Sequence, residues 1–247
     1  MFVKSTETAE TQGSTLILPC VSIGNVPQLA VDLLINTLEA TRIGIIHTGT
    51  LLPISSSTSG FDHSKQQLVP AEIYQSKDSR WTILQQRTPP LPKHQKKWAR
   101  ELKEFIELAG FHKVVLLTSS DAALRADRLI DNESNICTLT VNCKDELVGG
   151  MQSLALSPSD GQLGIESLHS AGVAKPFLRL CQSMILPVVV LAALVYEGDN
   201  VPDAINLANA TNRMLDILPN TGQNRQWRAP KSWQWLMAPS NVPSQLF

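Results

Sequence analysis

Ser119, Ser120 and Asp121 are three consecutive polar residues that follow the most strand-like run of the chain, Lys113–Thr118. A serine hydroxyl at the end of a strand, with a histidine in reach, is the minimum outfit for nucleophilic catalysis. His47 and His112 are the candidate bases. A second turn, Gly24–Asn25, ends another apolar run. In open α/β sheets both places lie where ligands bind, in the crevice beyond the strand C-termini. A small-molecule enzyme of the nucleoside phosphorylase or hydrolase type would use Gly24, Asn25 and Ser119–Asp121 around one such crevice. Three observations oppose it. No Gly-x-Ser-x-Gly elbow surrounds the serines. Neither GxGxxG nor GxxxxGK[ST] accompanies Gly24. No Arg or Lys adjoins these turns to clamp a phosphate. Ser and Asp are also ordinary caps for a following helical segment, and that is the preferred reading.

Metal and cofactor chemistry has no better footing. Cys20, Cys137, Cys143 and Cys181 are scattered without a CxxC pair, and the five histidines are dispersed. Zinc needs clustered ligands. No catalytic, cofactor-binding or metal-binding residue is therefore assigned. The chain of 247 residues carries a net charge of −1, which leaves no electrostatic footprint for nucleic acid. The densest basic cluster, Lys93, Lys96, Lys97 and Arg100, opens an amphipathic segment and reads as a solvated face. The longest apolar run, Met184–Tyr196, contains Pro187 and is shorter than the ~20 residues a membrane span needs. No apolar signal core opens the chain, so a soluble intracellular protein is expected.

The elements that position these residues follow from periodicity. Leu16, Ile17, Leu18, Val21 and Ile23 read as a buried strand. Gly24 allows a sharp turn, Asn25 suits an N-cap, and Pro27 fits a first helical turn. Val26, Leu29, Ala30, Leu33, Leu34 and Leu38 then form one apolar stripe, with Asp32 and Asn36 on the solvated side. Arg42–His47 reads as a second strand, parallel and adjacent to the first. Phe2 and Val3 can add an edge strand. Residues 48–70 form a long Ser/Thr/Gly/Pro-rich loop. Residues 71–76 and 81–87 form a hairpin, with Trp81, Ile83 and Gln85 on one face and Leu84 on the other. His94–Ala109 is a helix closed by Gly110. Lys113–Thr118 is a central strand covered on both faces. Asn135–Val141 alternates as a strand. A helix starts at Pro176, a second apolar helical stretch spans Pro187–Tyr196, and Val201–Leu218 is an amphipathic helix.

Trp227, Trp233 and Trp235 concentrate three of the five tryptophans near the C-terminal end. They either clamp the last turn onto the core or anchor a partner, since Trp is enriched in interface hot spots. A Pro/Ser-rich spacer follows and finishes in Gln245, Leu246 and Phe247. A terminal Leu–Phe after such a spacer suits insertion into a pocket. The expected organisation is one α/β domain over residues 1–237 and a flexible tail over 238–247.

Several dissimilar runs, in order, resemble the PAC2 family of proteasome assembly chaperones: the opening Met1–Val3, the stretch Leu16–Leu34, the Glu197–Ala204 run, the Trp227–Trp233 run and the closing Leu246–Phe247. The resemblance implies an α/β layered sheet flanked by helices, similar to the nucleoside-phosphorylase-like architecture but without a working active site. It implies no enzyme activity and no cofactor. It implies a heterodimer with the related proteasome assembly chaperone 1, seated on proteasome α subunits, promoting α-ring assembly of the 20S proteasome and suppressing off-pathway ring dimers, in cytoplasm and nucleus. In the wider group, tails of the hydrophobic–tyrosine–any type insert between α subunits. Gln245–Leu246–Phe247 matches that pattern loosely, with Leu where tyrosine is expected.

Overall fold

An unbroken apolar run is buried on both faces only in the middle of a sheet with helices on each side. Lys113–Asp121 occupies that position. The computed structural model describes residues 2–4, 10–54, 56–57, 67–124, 135–143, 164–218 and 227–233. Within them the strands are β1 Phe2–Lys4, β2 Thr15–Pro19, β3 Thr41–Ile46, β4 Ser56–Ser57, β5 Gln67–Leu68, β6 Ala71–Gln75, β7 Trp81–Gln86, β8 Lys113–Asp121, β9 Ile136–Val141 and β10 Val188–Val195. The helices are α1 Val26–Thr37, α2 Gln95–Ala109, α3 Ala174–Cys181 and α4 Val201–Leu215.

Eight strands form one mixed sheet in the order β1-β3-β6-β7-β2-β8-β10-β9, and β4 pairs with β5 separately. The centre, β7-β2-β8-β10, is parallel, and the flanking pairs are antiparallel. Side chains alternate between two cores, as the pleat requires. Leu16, Leu18, Val114, Leu116, Val190 and Ala192 pack with Trp98, Leu102 and Ile106 of α2 and Phe177 of α3. Ile17, Val115, Leu117, Leu191 and Ala193 pack with Ala30 and Leu34 of α1 and Leu207 and Ala208 of α4. The fold is thus the expected α/β layered sheet flanked by helices.

Several local expectations are corrected. Pro187–Tyr196 contributes a strand, not a helix: β10 is buried along its whole length, and a fully buried apolar run carries no periodicity to separate the two forms. Its β-branched start, Val188–Val190, suits the pleat. The first strand ends at Pro19, and Ile23 belongs to a short 3-10 turn over Ile23–Asn25. β3 runs in the direction of β2 but is not its neighbour, because the β6–β7 hairpin lies between them. α3 begins at Ala174, two residues before Pro176. Asn25 sits at the start of α1 with φ 51° and makes no side-chain cap; its Oδ1 accepts from Gln28 instead. The long loop includes the short strands β4 and β5. The edge strand β1, the hairpin, α2, β9 and α4 stand close to where periodicity put them.

Asp32 is not solvated. Gln85 Nε2 donates to its Oδ1 at 2.6 Å, Arg87 lies 3.6 Å away, and Trp233 adds a further hydrogen bond. Burial pushes its carboxyl up from the usual value, against the pull of Arg87. Arg87 continues to Glu72 at 3.0 Å, and Glu72 meets Arg42 at 2.7 Å. Burial, helped by the Glu72 carboxylate, raises the Tyr74 phenol to about 12. Tyr74 therefore stays protonated and donates to Glu72 Oε2 at 3.3 Å. Glu72 is 1% exposed, so it is the hinge of a buried ionic chain joining β3, β6, β7 and α1. Removing one member of such a chain leaves buried charge uncompensated. Glu72→Gln is expected to lower the unfolding free energy by roughly 3 kcal/mol, read from the urea midpoint; an unchanged midpoint would show that the arginines repair themselves with solvent.

Candidate functional site

The crevice beyond the C-termini of β2, β8 and β10 is the place where this architecture holds ligands. Here the described residues at the strand ends bond to one another across it. β8 continues through Ser119 and Ser120 into the sheet, and both residues are buried. Ser119 Oγ donates to Ile23 O at 2.6 Å and lies 2.7 Å from Ser22 Oγ. Ser22 Oγ in turn accepts from Ser119 N at 3.0 Å. The Ser119 proton is therefore committed to a backbone carbonyl, which is no base. Ser120 Oγ donates to His169 O at 3.0 Å and accepts from His169 N at 2.8 Å. Asp121 Oδ1 accepts from Ala123 N at 2.9 Å, closing the turn that follows, as the capping reading expects.

The strap that covers the strand ends is His169–Gly172. Asp121 N donates to His169 O, and Ile23 N donates to Ser170 O at 3.2 Å. Its approach requires glycine. Gly172 has φ +60°, and a Cβ there would stand 2.1 Å from Val21 O. On the other side Gly24, at φ +69°, lies under Asn200, whose Oδ1 would meet a Cβ at 2.5 Å. Asn200 is itself tied by Nδ2 to Tyr196 O and Asp203 Oδ2. The turns expected to cradle a ligand instead hold one another.

Neither candidate base reaches the serines. His112 precedes β8, at the opposite end of the strand. Seven residues of strand separate it from Ser119, about 23 Å at the usual rise. Its ring is bound to Gly13 O and Thr15 Oγ1. His47 follows β3, four strands across the sheet from β8. Among the described residues no group of His, Cys, Asp and Glu is arranged to hold a metal ion. Cys20, Cys137 and Cys181 are buried and free, and burial pushes the Cys20 thiol up to about 12, helped by Cys181. These are packing residues rather than nucleophiles.

The tryptophans divide. Trp233 is 3% exposed and packs in the α1/α4 core, so it presents almost no area to another molecule. Trp227 packs at the rim of the same core and donates its indole N–H to Asn209 at 2.8 Å. Arg228 reaches back to Thr37 Oγ1 and Glu39. Trp235 and Gln245–Phe247 lie outside the described residues. Sequence reading missed the strap and Asn200. The available signal was the run of small residues Ser170–Ala171–Gly172, suited to close backbone approach.

The fold is that of a three-layer α/β protein in which, among the described residues, the turns at the ends of β2 and β8 are bonded to each other and to the strap. The PAC2 family profile matches residues 16–227. The chain belongs to the PAC2 family. It is similar to proteasome assembly chaperone 2 of Danio rerio, at 33% identity over 100% of both chains. It is also similar to proteasome assembly chaperone 2 of Homo sapiens, at 30% identity over 100% of both. Among solved structures it matches Pyrococcus furiosus PbaA, an archaeal homolog of proteasome-assembly chaperone. That match has a TM-score of 0.66 and 16% identity, covering 96% of this chain and 92% of the other.

The strap makes a sharp demand on one position. Gly172→Ala combines a left-handed backbone with a steric clash and is expected to cost roughly 2–4 kcal/mol. Gly164→Ala, where the nearest atom is Ser167 Oγ at 3.9 Å, should change stability by less than about 0.5 kcal/mol. Thermal melts of the two variants side by side check the contrast.

Proposed function

We propose that this chain is a non-catalytic subunit of a proteasome assembly chaperone. It pairs with proteasome assembly chaperone 1, and the pair promotes α-ring assembly of the 20S proteasome and suppresses off-pathway ring dimers, in cytoplasm and nucleus. The full-length likeness to proteins named proteasome assembly chaperone 2 supports the assembly role. The observation that carries the non-catalytic part is the Ser22–Ser119–Ile23 knot, in which, among the described residues, the hydroxyls at the ends of β2 and β8 are bonded to each other and to the chain's own backbone.

A heterodimer of useful stability buries more than ~1,000 Å². In this reading Trp227 and Trp235 stand near that contact, and Trp233 supports it from within. Expressed alone, the chain is expected to be poorly soluble, and co-expression with proteasome assembly chaperone 1 to rescue it. A tagged pull-down read by mass spectrometry should recover that subunit and unassembled α subunits, without mature regulatory-cap subunits. Recovery of a well-behaved monomer with no affinity for either would overturn the reading. So would metabolite turnover that disappears in Ser119→Ala.

In this reading the Gln245–Leu246–Phe247 segment makes the ring contact. Its deletion should weaken α-ring binding at least fivefold while leaving heterodimer formation intact, by quantitative pull-down. Unchanged ring binding removes the segment from the site.

A further inference from the structure

At the other end of the parallel strands, away from the strap, lies a cleft of about 230 Å³ lined by Gly13, Thr15, Arg80, Trp81, His112, Lys113, Met214 and Leu215. Its character is set by two cations against an apolar wall. Arg80 lies over the Trp81 ring, 5.4 Å from the centroid, and its Nε engages Asp78. The rest of a guanidinium fork held this way still has donors to offer. Lys113 is half-buried, and no carboxylate pairs with it among the described residues. Burial holds its ammonium below the usual lysine value, against the opposing pull of Cys143, as desolvation of a cation does. Trp81 forms part of the wall and is 7% exposed.

His112 fixes the polarity of the rim. Its Nδ1 lies 2.7 Å from Gly13 O, which can only accept, so Nδ1 carries a proton. Nε2 is taken by Thr15 Oγ1 at 3.3 Å. The ring is thus held in place and leaves the anion contact to Lys113 and Arg80. Met214 and Leu215, at the end of α4, close the apolar side.

We infer that this cleft binds a small carboxylate on a short apolar stem, with the carboxylate between Lys113 and Arg80 and the stem against Met214, Leu215 and the Trp81 ring. The volume suits a single amino-acid-sized group. The same chemistry comes from two sources, a free organic acid or the C-terminal residue of a peptide. The inference stands apart from the assembly role: its failure would leave that role untouched.

Isothermal titration calorimetry on the full chain, purified with its partner subunit if it requires one, tests the assignment. N-acetyl-leucine should bind saturably, and N-acetyl-leucinamide at least tenfold more weakly. Lys113→Met, which keeps the stem, and Arg80→Met, at a mostly exposed side chain, should each weaken N-acetyl-leucine at least fivefold. A tetrapeptide ending in leucine that binds tenfold tighter than N-acetyl-leucine assigns the cleft to peptide ends; one that binds more weakly assigns it to free acids. Equal binding of acid and amide, indifference to both substitutions, or inorganic phosphate binding as tightly as N-acetyl-leucine overturns the inference.

Discussion

The exit of β2 is bound to the end of β8 by hydroxyls rather than by apolar contact, and this bond governs what the molecule can do. Ser22 and Ser119 exchange hydrogen bonds between two neighbouring strand ends, and Ile23 O takes the Ser119 proton. Buried hydroxyls without partners are costly, so the pair is stable only when closed. Once closed, it brings Gly24 under Asn200 and lets the His169–Gly172 strap lie across Val21. An open crevice in the same fold would need these groups to be hydrated or to face a ligand. Among the described residues, the hydroxyls of Ser22 and Ser119 face each other instead.

The two cores on either side of the sheet have different tasks. The α2/α3 side is built on large side chains, with Trp98 and Phe177 fully buried, and Trp98 donates to Gln86 across the layer. The α1/α4 side is built on small residues, Ala30, Ala204, Ala208 and Ala210, which allow the two helices to approach closely. It also carries the ionic chain from Asp32 to Arg42. Trp233 belongs to both systems, packed in the α1/α4 core and hydrogen-bonded to Asp32. The last described segment is in this way secured by a carboxylate on α1.

Sequence periodicity revealed most of the layer structure, because β2, β8, α2 and α4 carry uninterrupted or cleanly amphipathic patterns. It failed at Pro187–Tyr196, where every position is apolar and neither period stands out. It failed again at strand order, since hydrophobic pattern says which faces are buried but not which strands adjoin. Asp32 was misread because a carboxylate on a polar helix flank looks the same whether it meets water or Arg87, and Arg87 is 55 residues away in the chain. The capping reading holds for Asp121, which accepts from Ala123 N, but not for the two serines, although their place at the end of β8 was right. That their hydroxyls meet Ile23 and His169 was not visible, because those contacts join segments roughly 50 to 100 residues apart. The carboxylate cleft was equally hidden: Gly13, Arg80, Lys113 and Met214 come from four distant segments.

The insertion of the hairpin between β3 and β2 has a bearing on synthesis. β3 pairs with β6 on one side and β1 on the other, and with β2 on neither. A nascent chain that has emerged only as far as Ile46 holds β1 to pair with β3 but lacks the strands that join β3 to β2. Those strands, β6 and β7, follow some forty residues later, and only then can the layer that buries Ile43 and Ile46 in the finished protein be completed. Chains emerge at about 5–20 residues per second, so this interval lasts a few seconds.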